Sequence, residues 1–188
     1  LVIGGGKVAE RKVKSLLECG AIVYVISHSL TEVLTELFEE DLIHFLNREY
    51  SVEDLAVCFL VICATDDSDI NRKIADDCWA RNIPVNVVDT PDKCSFIVPS
   101  VMRRGDLCIA VSTSGKSPML SKKIRQRMEE LFGPEYEEYL DLMGTLREKI
   151  IQNFPDRQYR RKIFECLVNS DILQNIQKGQ KELVKEKV

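Results

Sequence analysis

Leu1-Val2-Ile3-Gly4-Gly5-Gly6-Lys7-Val8-Ala9 opens the chain with an apolar run that passes straight into a G-x-G-x-x-A pattern. The order matters: an apolar strand comes first and a helical pattern follows. Gly4 permits a tight turn, Gly6 lets backbone approach a pyrophosphate, and Ala9 is small enough for helix to pack on strand. The helix start then presents its N–H groups and positive dipole end to phosphate. A bare glycine turn of this kind also occurs without a ligand, so its meaning depends on what surrounds it.

What surrounds it is an alternation. Val8 to Cys19 carries apolar residues at helical spacing and is followed by Gly20, where a helix-ending glycine belongs. Residues 21–26 predict a second strand, 30–40 an amphipathic helix, 42–46 a third strand, and 51–56 a short helix capped by Ser51. Residues 57–64 form a nearly continuous apolar strand, 68–82 a helix, and 84–88 a fifth strand. Strands and helices alternating at these lengths predict an α/β fold, a Rossmann-like parallel sheet.

Beyond residue 89 the pattern changes. Residues 95–98 and 107–112 predict two strands with too short a connection for a helical crossover, hence an antiparallel pair. Helices are expected at 118–132, 135–154 and 158–177, with a frayed tail after Gly179. The chain thus divides into a nucleotide-binding region, a small α/β linking element, and a C-terminal helical domain.

Composition removes other classes. The 188 residues are 45% hydrophobic and 30% charged, enough apolar material for a full core. No apolar run approaches the roughly 20 residues of a membrane span, and a net charge of −4 gives no general attraction for nucleic acid. No signal peptide is visible. Seven scattered cysteines without a C-x-x-C pair suit buried thiols in a reducing cytoplasm. Cys58 and Cys63, an odd number apart on one expected strand, should face opposite ways, and the two histidines lack ligand spacing, so no metal site is expected. Gly115-Lys116-Ser117 is not a P-loop, because the earlier glycine position holds Ala110 and Pro118 follows directly. Trp79 is expected in the core.

The carboxyl ends of the strands hold the remaining candidates. The second strand ends in Ser27-His28-Ser29, with neither the ribose-binding acid nor an arginine for a 2′-phosphate. Ser27 and His28 have polar groups suited to a ribose, although His28 also suits an ordinary exposed loop. The fourth strand ends in Ala64-Thr65-Asp66-Asp67, where Asp66 also suits a helix cap. The fifth ends in Asn86-Val87-Val88-Asp89-Thr90-Pro91. Asp89 there suits proton transfer at the sheet edge, and equally a turn before Pro91.

Five motifs occur in order: Gly4-Gly5-Gly6-x-Val8-Ala9-x-Arg11-Lys12; Ala64-Thr65-Asp66-Asp67; Asn86-Val87-Val88-Asp89-x-Pro91; Phe96-x-x-Pro99; and Ala110-Val111-Ser112-Thr113-x-Gly115-x-Ser117-Pro118. Together they resemble the precorrin-2 dehydrogenase family, the module that also begins the larger siroheme synthases. The resemblance implies an NAD-binding Rossmann domain over 1–98, a dimerisation element over 99–133 and a C-terminal helical domain over 134–188, in a homodimer. It implies NAD-dependent oxidation of precorrin-2 to sirohydrochlorin, with Asp89 as general base. Cofactor contacts fall on Gly4, Gly6, Lys7, Val8, Ala9, Ser27, His28, Ser29, Thr65, Asp66 and Val88. Substrate contacts fall on Ser112, Thr113, Gly115, Lys116 and Ser117, in a loop where many members carry a second Ser or Gly. Some members also insert Fe2+, which would then be a substrate held by the macrocycle's own nitrogens. A non-catalytic NAD-sensing module is the other alternative. The implied substrate carries eight carboxylates, so a local basic surface is expected from Arg103, Arg104, Lys116, Lys122, Lys123, Arg125 and Arg127.

Overall fold

A computed structural model describes residues 1–186 and divides them between two compact units, Leu1–Val98 and the part that begins at Pro99. The first unit contains β1 (Val2–Ile3), α1 (Lys7–Leu17), β2 (Tyr24–Ile26), α2 (Glu32–Glu39), β3 (His44–Leu46), β4 (Val61–Cys63), α3 (Ser68–Ala80) and β5 (Val85–Val87). The five strands form a parallel sheet, as the alternation predicts, and they lie in the order β3-β2-β1-β4-β5.

Side chains alternating across the pleat build two cores from this one sheet. Val2, Val25 and Ile62 face Ala9 and Val13 of α1 and Leu34 of α2. Ile3, Ile26, Cys63 and Val87 face Leu55 and the Ile74, Ala75 and Cys78 stripe of α3. Central strands covered on both faces have no place for polar residues, which is why β1 and β4 are wholly apolar. Thr31 caps α2 by accepting the Leu34 N–H at 3.3 Å, and Asp67 caps α3 by accepting from the Asp69 and Ile70 N–H groups. Asp67 and not Asp66 is therefore the cap.

Several expectations change. The fourth strand is only Val61–Cys63, because a 3-10 turn runs over Val52–Val57 and leaves Val57 and Phe59 exposed. Cys58 consequently lies off the strand and packs on the same cluster as Cys63, not on the opposite face. Trp79 is 53% exposed near the end of α3, outside the core. Residues 95–98 form no strand.

The second unit begins with a hairpin of β6 (Ser100–Arg104) and β7 (Leu107–Val111), antiparallel with Arg104 opposite Leu107. Gly105, at φ 51°, supplies the left-handed residue of its two-residue turn. Five helices follow: α4 (Pro118–Leu131), α5 (Glu135–Asn153), α6 (Arg157–Val168), α7 (Ile172–Gln177) and α8 (Lys181–Glu186). The expected single helix over 158–177 is broken because Ser170 Oγ donates to the Leu167 carbonyl at 2.7 Å and accepts the Ile172 N–H. Its side chain replaces the helical backbone bonds at that point. The expected frayed tail instead contains α8, and residues 187–188 of the expected helical domain lie outside the described residues. No helix among the described residues is long and apolar enough to cross a membrane.

Candidate active site

Strand register brings the motif residues into line. Ile3 pairs with both Ile26 and Cys63, and Cys63 pairs with Val87. The next residue on each strand is Ser27, Gly4, Ala64 or Val88, and the one after is His28, Gly5, Thr65 or Asp89. All lie at the carboxyl edge, across the point between β1 and β4 where the strand order reverses. That is where open α/β sheets bind ligands. Two strand spacings separate β1 from β5, so Asp89 stands roughly 10 Å from the glycine turn at about 4.8 Å per strand.

The three glycines have different physical causes. Gly4 adopts φ 118°, and a β-carbon on it would stand 2.3 Å from the Ala64 carbonyl oxygen. A β-carbon on Gly5 would meet the Ser29 carbonyl oxygen at 1.8 Å. Both are glycine because neighbouring strand ends crowd the turn. Gly6 is different: its β-carbon would meet nothing within 4 Å. It begins α1 in extended conformation, and no side chain caps the first turn. The N–H groups of Lys7, Val8 and Ala9 thus begin a helix whose approach is kept clear by Gly6, an arrangement that fits a dinucleotide pyrophosphate.

The side chains around this turn are braced. Glu10, buried in α1, accepts from Thr31 Oγ1 at 2.8 Å and from Lys7 and Lys14 at 3.2 Å each. The Thr31 hydrogen bond, aided by the lysines, holds its carboxyl below the ordinary glutamate range. The Lys7 ammonium is therefore turned to Glu10, leaving its backbone N–H as the group at the helix start. Thr31 N–H also donates to the Gly5 carbonyl at 3.0 Å. Thr65 Oγ1 is bonded to Asn71 Oδ1 at 2.8 Å, and Asn71 Nδ2 returns to the Thr65 carbonyl at 2.8 Å. His28 is exposed and stands 3.9 Å from Glu49, beyond hydrogen-bond reach. On the other flank of α1, half-buried Lys12 is held below the ordinary lysine range by desolvation, with Arg11 adding repulsion.

Asp89 is exposed and sits in a left-handed backbone conformation, φ 58°, just beyond β5. Such a conformation at a non-glycine residue costs energy and persists only where its surroundings fix it.

In the second unit, the Ser112 to Ser117 loop is tied down from within. Thr113 Oγ1 accepts the Ser117 N–H at 3.0 Å and is bonded to buried Ser121 at 3.1 Å. Ser114 and Gly115 both take positive φ, and Ser117 caps α4. The Thr113 side chain thus shapes the loop, while Ser112 and Lys116 are exposed. The expected basic surface shrinks, since Arg104 donates to the Phe132 and Glu129 carbonyls and Arg125 is paired with Glu129. Lys116, Lys122, Lys123 and Arg127 remain exposed. Among the described residues no group of three or more His, Cys, Asp or Glu side chains is placed to hold a metal ion.

Three family models match successive stretches of the chain. The model described as "Putative NAD(P)-binding" matches residues 1–100. The chain belongs to that family. The models "Sirohaem biosynthesis protein central" and "Sirohaem synthase dimerisation region" follow at residues 104–131 and 135–188. Relatives include a siroheme synthase of Methylobacillus flagellatus, 40% identical over 97% of this chain and 39% of that protein. Another is the siroheme synthase of Thioalkalivibrio sulfidiphilus, 39% identical over 99% of this chain and 38% of that protein. The chain spans under two fifths of the length of these relatives. The solved structure of "SirC, precorrin-2 dehydrogenase" shares the fold, with a TM-score of 0.79 at 23% identity over 99% of this chain and 92% of that one.

The residues that spacing alone did not reveal are Glu10 with Thr31, 21 positions apart, and Cys94, whose sulfur accepts the Val87 N–H seven residues back. The first pair carries no local signal because it is made only when α1 packs beside the start of α2, and a lone cysteine after a turn carries no motif.

Proposed function

We propose that this chain oxidises precorrin-2 to sirohydrochlorin with NAD as acceptor. The observation that carries the reading is the shared carboxyl edge of β1, β4 and β5, which sets Asp89 two strands from an open helix N-terminus. Support also comes from the succession of three family models along the chain.

When bound, the nicotinamide would supply the acceptor for a hydride equivalent leaving the macrocycle. The helix-start N–H groups of Lys7, Val8 and Ala9 hold the pyrophosphate, with Gly4 and Gly6 leaving the space for it, and Ser27, His28 and Ser29 face the ribose. Thr65, Asp66 and Val88 line the edge between them. Asp89 accepts the proton that the macrocycle loses along with the hydride, so one carbon–hydrogen bond and one proton are removed together. Ser112, Thr113, Gly115, Lys116 and Ser117 are assigned to the substrate, with exposed Lys116, Lys122, Lys123 and Arg127 answering its carboxylates. NAD is favoured over its 2′-phosphorylated form because the β2 end carries neither Arg nor Lys. Arg48 beyond β3 is committed to Asp54 by a 2.8 Å bond.

The assignment divides the chain into NAD-binding 1–98, a dimerisation element 99–133 and a helical domain 134–188, working as a cytoplasmic homodimer. Purified protein given precorrin-2 and NAD should generate the sirohydrochlorin spectrum with stoichiometric NADH, and no spectral change would refute the activity. Fe2+ added to sirohydrochlorin without NAD tests whether metal insertion accompanies it.

A further inference from the structure

The turn that presents Asp89 is barely closed by its own backbone. Thr90 N–H reaches the Val87 carbonyl only at 3.4 Å, around a left-handed Asp89. A left-handed aspartate persists only where its surroundings fix it, so something else must hold it.

That something is a clasp from the returning chain. The Cys94 sulfur accepts the Val87 N–H at 3.1 Å and lies 3.2 Å from the Val87 carbonyl and 3.4 Å from the Thr90 carbonyl, to one of which its S–H donates. A single thiol therefore touches both ends of the turn. It is held in place on either side. Asn86 Nδ2, buried in β5, donates to the Phe96 carbonyl at 3.0 Å and stands 3.5 Å from the same sulfur. Ser95 N–H donates to the Val85 carbonyl at 2.8 Å, while Ser95 Oγ accepts the Val85 N–H at 2.7 Å. The clasp also satisfies the open side of β5, the edge strand of the sheet. Sulfur hydrogen bonds are individually weak, but here one sulfur makes four contacts with three residues, Asn86, Val87 and Thr90, that bracket Asp89.

We infer that Cys94 is a positioning residue for Asp89, acting through the Val87–Thr90 turn with Asn86 and Ser95 as its anchors. This rests on the reading of Asp89 as the base. In the full chain, Cys94→Ala should lower kcat for precorrin-2 oxidation about tenfold or more, since small misplacements of a reacting group are costly. KM and NAD affinity should stay unchanged. Cys94→Ser should recover most of the loss, because a hydroxyl still donates and accepts.

An independent readout is the backbone carbon shift of 13C-labelled Asp89, which reports the left-handed conformation without any ligand. Wild type and Cys94→Ser should share that shift, and Cys94→Ala should lose it. An alanine variant that keeps either its kcat or the Asp89 shift overturns the inference. Should Asp89→Ala retain full activity, the assignment of the base fails, and the labelled-Asp89 comparison separates that failure from any failure of the clasp.

Discussion

Gly4 and Ala64 stand so close that a β-carbon on the first would lie 2.3 Å from the carbonyl oxygen of the second. They follow the two strands between which the sheet order reverses, at the carboxyl edge where open α/β sheets bind ligands. Gly4→Ala must both relieve this collision and leave φ 118°. A loss of about 2 to 4 kcal/mol is expected from backbone strain and overpacking together, read as a shifted midpoint in urea unfolding.

Gly6→Ala should behave in the opposite way. Its β-carbon meets open space, so stability should change by less than about 1 kcal/mol, whereas NAD affinity should fall by about tenfold, or 1.4 kcal/mol. Titration calorimetry alongside thermal unfolding separates the two effects. Equal losses in both would place the role of Gly6 in folding and not in binding.

The Glu10 brace makes a pH prediction. Its carboxyl is held below the ordinary glutamate range in the folded protein by Thr31, then by Lys7 and Lys14. A depressed folded value stabilises the protein above the unfolded range and loses that contribution as pH falls through the folded one. Glu10→Gln should therefore unfold at a lower temperature than wild type near neutral pH. The two midpoints should converge as the medium becomes more acidic than the usual glutamate range. A gap independent of pH would remove the electrostatic explanation.

Thiol reactivity checks the core. Burial pushes Cys63 up to about 12 and Cys78 up to about 11, so both remain protonated and inert at pH 8. A maleimide should modify exposed Cys19, Cys108 and Cys166 first, and peptide mapping should find Cys63 and Cys78 labelled only after denaturation.

The parallel sheet was legible because central strands buried on both faces read as apolar runs, and β1 and β4 are such runs. The glycine turn and Asp89 were legible for the same reason: each follows directly on a strand end, so strand order places them. Residues 95–98 misled because β-rich residues there satisfy β5 through the side chains of Ser95 and Asn86 without forming a ladder. Trp79 misled because helical periodicity gives a face but not its coverage. Arg104 looked like a ligand-binding cation until the hairpin brought it against the end of α4, 25 to 28 residues away. Such long-range partners leave no trace in local spacing.

The most direct test of the account is the rate of sirohydrochlorin formation from precorrin-2 and NAD by wild type and by Asp89→Ala, with NAD affinity measured in parallel. Removing a positioned general base should lower the rate by about 10² to 10⁴-fold and leave NAD affinity within about twofold. An unchanged rate in Asp89→Ala would contradict the account.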